Sequence, residues 1–383
     1  MTLVVVGASL AGLRAVEAAR RTGYRGRTVL IGAEEHLPYD RPPLSKAFLA
    51  ADGPRVVEPF HAEAVLREEL GVELMLGAPA EGLDTDAREV TVAGAGVRYD
   101  ALVIATGATA RTLPGARTLR TAEDAVAVRA ALDRGARTVV VGAGFIGSEV
   151  ASAARARGLP VTIVEAAAVP LVRAVGETAG AMLAELHQEA GTELRLGAEV
   201  TAVTGSGVHL AGGDVLPADL VVAGIGAVPA TGWLAGSGLL LHERDRGVVC
   251  DATLAAGPPG VYAAGDVAHV ANPLFDGLLR PEHWTNAAEQ GAAAARHALD
   301  PASARPLAAV PYFWSDWYGH RIQFVGTPHA DEVVTAGDTT LYRRGDRLVG
   351  ALTVDRPREI MKHRRRIATR APWAEALAFA GTA

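Results

Sequence analysis

The residues best placed to do chemistry lie in two glycine turns, each followed at a distance by an acid. The first turn, Gly7-Ala8-Ser9-Leu10-Ala11-Gly12, follows the apolar run Leu3-Val4-Val5-Val6 and leads into an alanine-rich stretch from Leu13 to Arg20. Glu34 comes just after the next apolar run, Thr28-Val29-Leu30-Ile31, 27 positions beyond Gly7. The second turn, Gly142-Ala143-Gly144-Phe145-Ile146-Gly147, follows Thr138-Val139-Val140-Val141, and Glu165 stands 23 positions beyond Gly142. A strand, a tight turn and a helix in that order present the helix's unpaired N–H groups to the pyrophosphate of a dinucleotide, while the acid accepts hydrogen bonds from ribose hydroxyls. Ser9 replaces the middle glycine of the first turn; its small side chain still admits a phosphate, and its hydroxyl adds a donor.

The repetition predicts two bound dinucleotides. Glu165 is followed by Ala166, Ala167 and Ala168, with no base before Arg173. A carboxylate at that position accepts from a free 2′-hydroxyl and repels a 2′-phosphate, so the pattern predicts NADH over NADPH. Two further strand ends belong with the first turn. One is Ala101-Leu102-Val103-Ile104 closing on Ala105-Thr106-Gly107, and the other is Val261-Tyr262-Ala263 closing on Ala264-Gly265-Asp266, whose aspartate can reach a flavin ribityl hydroxyl.

The elements that must carry these residues fit an alanine-rich α/β chain. At 383 residues it is long enough for two or three cores and needs neither metal nor disulfide to hold it. A net charge of −6 argues against wholesale nucleic-acid binding. Cys250 is alone, which excludes a CxxC redox pair and an internal disulfide, suits a reducing cytoplasm, and reads as a small buried group. The opening residues Met1 to Gly7 carry no basic run and no long apolar core before the first turn, so no secretory signal is expected. The uncharged stretch from Leu220 to Leu241 is broken by Pro229 and several glycines, so it reads as a buried strand and loop with no membrane role.

The stretch Leu37-Pro38-Tyr39-Asp40-Arg41-Pro42-Pro43-Leu44-Ser45-Lys46 closely resembles the signature of the ferredoxin reductases that serve cytochrome P450 and Rieske-type oxygenases. The likeness continues through GFIGSEVA, GVYAAGDVA, RPEHWTNAAEQG and VPYFWSD, and so spans essentially the whole chain. It implies an FAD domain (1–112 and 242–309) interrupted by an NAD domain (113–241), both Rossmann-like, and a C-terminal α+β reductase domain (310–383). It also implies that Arg41 and Pro43 line the FAD pyrophosphate and flavin approach, that Lys46 stands beside the isoalloxazine, and that Glu149 faces Lys46. Arg111, Gly226 and His283 join the cofactor-lining residues on the same ground, and Trp284 lies at the flavin edge on the electron's way out. A lysine in the motif is notable because the chain has only Lys46 and Lys362. Thr285 is the expected N-cap of the helix that follows. Trp317 stands where relatives carry glutamine after FWSD.

From Val310 the pattern becomes short aromatic strands, Tyr312–Trp314, Arg321–Val325, Thr340–Tyr342 and Leu348–Leu352, predicting an antiparallel sheet. Beyond it Arg356, Arg358, Lys362, Arg364, Arg365, Arg366 and Arg370 face only Asp355 and Glu359 in charge. The resemblance implies an acidic [2Fe–2S] ferredoxin as partner, steered by this basic end and by Arg280. The expected activity is electron transfer from NADH through FAD to that ferredoxin. The alternatives on the same fold are an NADH oxidase or quinone-type reductase and a slow redox-sensing flavoprotein. The RPPLSK sequence, which lacks the redox cysteine of related oxidases and peroxidases, and the missing cysteine pair count against the oxidase and disulfide-reductase routes.

Overall fold

The computed structural model describes residues 1–382 and divides into two units. The first comprises Met1–Asp40, Glu58–Thr109 and Val228–Pro311; the second comprises Arg41–Val57, Ala110–Ala227 and the chain from Tyr312 onward.

The first unit is built on a five-stranded parallel sheet in the order Val261–Ala263, Ala101–Ile104, Thr2–Val6, Arg27–Ile31, Val72–Met75. Its strands are nearly continuous apolar runs because both faces are covered; Leu3, Val4, Val5, Ala101, Leu102, Val103 and Ile104 are fully buried. The helices Leu10–Arg21 and Trp284–Leu299 pack on each other. Gly291 makes that approach feasible, since a Cβ there would lie 2.1 Å from the carbonyl oxygen of Ala11. The expected start of the second helix shifts: His283, not Thr285, is the N-cap. His283 is extended (φ −110°, ψ 143°), and its carbonyl accepts the first helical bond from Ala287 N–H at 2.9 Å. Thr285 already lies within the first turn, because the chain turns helical at Trp284.

The second unit holds a four-stranded parallel sheet in the order Glu193–Leu196, Val161–Glu165, Thr138–Val141, Leu220–Ala223. Leu220–Ala223 is buried throughout, as expected, but the residues after it are not all loop: they include the short strand Ala227–Pro229 and the turn Gly232–Leu234. The helices Ala122–Asp133, Phe145–Ala156 and Val172–Glu189 belong to this part. The first of them starts at a capping box: Asp124 N–H bonds Thr121 Oγ1, and the Asp124 carboxylate returns to Thr121 N–H.

The same unit ends in a five-stranded antiparallel sheet in the order Tyr312–Trp317, His320–Gly326, Arg347–Val354, Thr339–Arg344, Glu332–Ala336, followed by the helices Pro357–Ala368 and Trp373–Thr382. Four strands match the aromatic runs read from sequence. The fifth, Glu332–Ala336, is an edge strand with no fully buried residue, so it shows no apolar alternation. Along Tyr312–Trp317 the period of two is kept, with Phe313, Ser315 and Trp317 inward.

Candidate functional site

In the first unit, Gly7 adopts φ +121°, and its N–H bonds Ile31 O at 2.8 Å. A Cβ at Gly7 would come within 2.1 Å of Ala105 O, and one at Gly12 within 1.9 Å of Gly7 O, so neither position tolerates a side chain. Ser9 is the extended N-cap (φ −121°) of Leu10–Arg21, and Leu10 and Ala11 are buried behind it. Glu34 Oε2 accepts from Tyr39 Oη at 2.6 Å, which orients the carboxylate. Thr106 Oγ1 donates to Ala230 O at 2.9 Å, beside Gly107 at φ +67°. Gly265, at φ +79°, donates its N–H to Gln290 Oε1 at 2.8 Å and so fixes the backbone that carries Asp266. The Trp284 indole donates to Asp40 Oδ1 at 2.8 Å. The roles of Tyr39 and Asp40 were not read from sequence, although both stand inside the quoted signature.

Arg280 is not a free cation at this surface. Its side chain is 12% exposed; Nε bonds Asp245 at 2.9 Å, Nη1 bonds Asp266 O at 3.0 Å, and Glu282 pairs with the same guanidinium. Burial would raise the Asp245 pKa, but the Gly247 N–H, His269 and Arg280 outweigh it and bring the carboxyl down to about 2. His242, Asp245 and His269 cluster as metal ligands would. The cluster is already tied together by its own groups: His269 Nε2 lies 2.9 Å from Asp245, Arg280 Nε bonds the same carboxylate at 2.9 Å, and the two imidazoles stack with centroids 4.0 Å apart and planes at 12°.

In the second unit the glycine turn repeats the first. Gly142 has φ +98°, and its N–H bonds Val164 O at 2.7 Å. A Cβ at Gly142 would meet Gly224 O at 2.5 Å, and one at Gly147 would meet Gly142 O at 2.2 Å. At Gly144, the N-cap of Phe145–Ala156, the nearest atom would be 3.4 Å away. The outer glycines are thus required by the protein's own packing, while the middle one keeps the turn low where a pyrophosphate would approach, which fits a dinucleotide. Ile146 is partly buried in the first turn of the helix, and the Phe145 ring meets Phe313 edge-on at 4.6 Å. Glu165 accepts from Ala143 N–H at 2.7 Å and from Ala167 N–H at 2.8 Å, one bond to each oxygen, so each oxygen keeps capacity to accept a further donor. Arg173 and Arg111 both approach Gly226; a Cβ there would be 3.4 Å from Arg173 Nη2 and 4.0 Å from Arg111.

The expected pair forms: Lys46 Nζ lies 2.8 Å from Glu149 Oε1, with the side chains 19% and 2% exposed. Ser45 and Ser315 each donate a hydroxyl to the same carboxylate, and the Trp317 indole donates to Ser315 Oγ at 2.7 Å. Glu149 stands on the helix that begins at the second glycine turn, so one helix carries both the turn's N–H groups and the acid that holds Lys46.

The loop bearing Lys46 is clamped from two helices. Buried Arg129 donates to the carbonyls of Phe48 (2.7 Å), Ala51 (3.2 Å), Gly53 (3.1 Å) and Pro54, and Arg157 donates to Leu49 O. Arg41 Nη1 bonds Arg120 O at 2.7 Å, and Pro43 lies in the short turn Pro42–Ser45. Sequence reading missed this clamp, because an arginine on a helix carries no local sign of which loop it binds. On Pro357–Ala368, Arg358, Lys362 and Arg365 are exposed, whereas Arg356 pairs with Asp338 and Glu359, and Arg366 lies over the Phe379 ring. Arg370, just beyond the helix, is exposed and Arg364 half-buried. Cys250 is 3% exposed, and burial pushes its thiol up to about 12. Among the described residues no helix is long and apolar enough to cross a membrane.

A fold of two glycine-turn parallel sheets with a C-terminal antiparallel domain defines a class of nucleotide-dependent oxidoreductases, and the comparisons agree. The pyridine nucleotide-disulphide oxidoreductase family model matches residues 1–291, and the reductase C-terminal model matches residues 312–381. The chain belongs to the pyridine nucleotide-disulphide oxidoreductase family. It is 36% identical to rhodocoxin reductase of Rhodococcus erythropolis over 97% of this chain and 90% of that protein. It is 37% identical to the ferredoxin--NAD(+) reductase subunit of the benzene 1,2-dioxygenase system of Pseudomonas putida, over 93% of this chain and 90% of that protein. Among solved structures, the covalent putidaredoxin reductase–putidaredoxin complex matches with a TM-score of 0.91 at 32% identity, covering 97% of this chain and 94% of that one.

Proposed function

We propose that the chain is an NADH-dependent flavoprotein reductase that passes electrons through FAD to a [2Fe–2S] ferredoxin serving a cytochrome P450 or Rieske-type oxygenase. The observation that carries this reading is the helix Phe145–Ala156, which begins at a dinucleotide turn and one turn later holds Glu149 against Lys46. FAD, when bound, supplies a carrier that takes two electrons together and releases them singly. In the first unit, Gly7, Ser9, Leu10, Ala11 and Gly12 bind its pyrophosphate and Glu34 its ribose, with Ala105, Thr106, Gly107, Gly265 and Asp266 along its length. In the second, Gly142, Gly144, Phe145, Ile146 and Gly147 bind NADH, Glu165 selects the free 2′-hydroxyl, and Arg111 and Gly226 line the approach. Arg41 and Pro43 shape the loop from which Lys46 presents its ammonium to the isoalloxazine, where a fixed cation favours the electron-rich form.

Trp284, held by Asp40, and His283 sit at the flavin edge. The exposed cations Arg358, Lys362 and Arg365 on the Pro357–Ala368 helix give an acidic partner its electrostatic guide. The division into an FAD domain (1–112 and 242–309), an NAD domain (113–241) and a C-terminal domain (310–383) follows the same reading. A lone, buried cysteine fits the cytoplasm.

The test is anaerobic mixing of the FAD-loaded protein with NADH or NADPH, then with a [2Fe–2S] ferredoxin across a salt series. Fast bleaching by NADH, slow bleaching by NADPH and ferredoxin reduction that weakens with salt are expected. Protein that binds no FAD, or that prefers NADPH, overturns the reading.

A further inference from the structure

We propose that Trp317, acting through Ser315, is a positioning residue that sets the direction of the Lys46–Glu149 pair; this rests on the reading that the pair serves the flavin. Strand alternation places Ser315 and Trp317 on one buried face, both fully buried. An indole N–H can only donate, so at 2.7 Å it occupies an acceptor lone pair of Ser315 Oγ and leaves that hydroxyl's single hydrogen to be given away. The hydrogen goes to Glu149 Oε1, the same oxygen that receives the Lys46 ammonium at 2.8 Å, while Ser45 donates to Oε2. Each carboxylate oxygen is thereby tied to a hydroxyl, and the plane of the carboxylate, hence the position of Nζ, is fixed.

The indole itself is held by more than its hydrogen bond. It lies against His187 with ring centroids 4.9 Å apart and planes tilted by 32°, and His187 Nδ1 in turn lies 2.8 Å from Tyr318 Oη. Burial lowers the pKa of this imidazole to about 4, so the ring against the tryptophan is neutral at ordinary pH. A side chain pinned on its face and donating from its edge cannot reorient without displacing its neighbours. The relay therefore acts as a stop behind the acid, in line from the aromatic core of the C-terminal sheet to the lysine.

Because the chain has only two lysines, ¹³Cε-lysine labelling gives a two-signal spectrum in which Lys362 is an internal control. The variants are Ser315→Ala, which removes the donor to Glu149, Trp317→Phe, which keeps a ring but removes the N–H, and Glu149→Gln. In the apoprotein, Ser315→Ala and Trp317→Phe should both move the Lys46 signal in one direction, with Lys362 unmoved. In the FAD-loaded protein, NADH-driven flavin reduction should fall about tenfold for Ser315→Ala, which loses a hydrogen bond to a charged group, and about threefold for Trp317→Phe, which loses one to a neutral hydroxyl. KM for NADH should stay the same, and the Trp317→Phe effect should vanish when Glu149→Gln is already present. The proposal is overturned if Glu149→Gln moves the Lys46 signal but Trp317→Phe does not, whatever Ser315→Ala does. If Glu149→Gln moves the signal yet leaves flavin reduction at its normal rate, the assignment of the pair to the flavin fails, while the relay still stands or falls on the lysine signal.

Discussion

Replacing Arg129 by alanine should release the loop that carries Lys46, and the size of the effect follows from the contacts it loses. The guanidinium is 4% exposed and serves four carbonyls. The bond to Phe48 O is buried, so its loss strands an acceptor away from water, at a cost of about 2 kcal/mol. The carbonyls of Ala51, Gly53 and Pro54 are partly accessible and can be rehydrated, so each contributes only about 0.5 kcal/mol. A total near 3.5 kcal/mol corresponds to roughly a 400-fold rise in the population of the opened loop. Hydrogen exchange reads this directly, because the N–H groups of Leu49, Ala50 and Gly53 are bonded inside the loop to Lys46, Ala47 and Ala50 carbonyls. Their exchange should accelerate about 400-fold in Arg129→Ala. Lysine keeps the charge but concentrates its donors on one nitrogen, so it cannot reach all four carbonyls, and Arg129→Lys should give an intermediate acceleration. If Arg129→Ala left exchange at these three amides unchanged, the clamp would have no role in ordering the loop.

Two further outcomes follow from the site geometry. Glu165→Gln should raise KM for NADH about tenfold without improving NADPH, since it weakens acceptance from the ribose hydroxyls and adds no cation; steady-state kinetics with both nucleotides checks it, and a gain for NADPH alone would show that charge repulsion dominates the choice. Asp245 has its folded pKa depressed from 3.8 to about 2, so its contribution is complete above about pH 4 and is lost as the pH falls towards 2. The shift corresponds to about 2 kcal/mol, so Asp245→Asn should destabilise the protein by that order at pH 7 and by progressively less below pH 4, as measured by urea unfolding across pH.

The glycine turns and their parallel strands were legible because the signals are local: Gly7 and Gly142 need positive φ, and the strands beside them are uninterrupted apolar runs. The Lys46–Glu149 pair was reached only through resemblance, since no rule of spacing joins residues so far apart, and the structure brings them within 2.8 Å. Trp317 stood out in the sequence as a departure, but its hydrogen bond to Ser315 depends on a buried strand face that sequence alone does not orient. Arg129 was invisible for the same reason. Thr285 misled because it is a good capping type one position inside the true start, where backbone conformation at His283 decides. Arg280 stands near Trp284 in the chain and so reads as a partner contact, but Asp245, 35 residues away in sequence, and Glu282 pair with its guanidinium, a pairing that residue type and order do not reveal.

Tyr39 and Asp40 are neighbours in the chain, yet one steadies Glu34 and the other steadies Trp284. Adjacent Cα atoms are only about 3.8 Å apart, so any tug on this dipeptide is shared by the acid proposed for the adenosine sugar and by the aromatic ring proposed for the flavin edge. Mobility at one end should therefore be mirrored at the other, and lengthening the chain by a residue between them would spoil both attachments at a stroke.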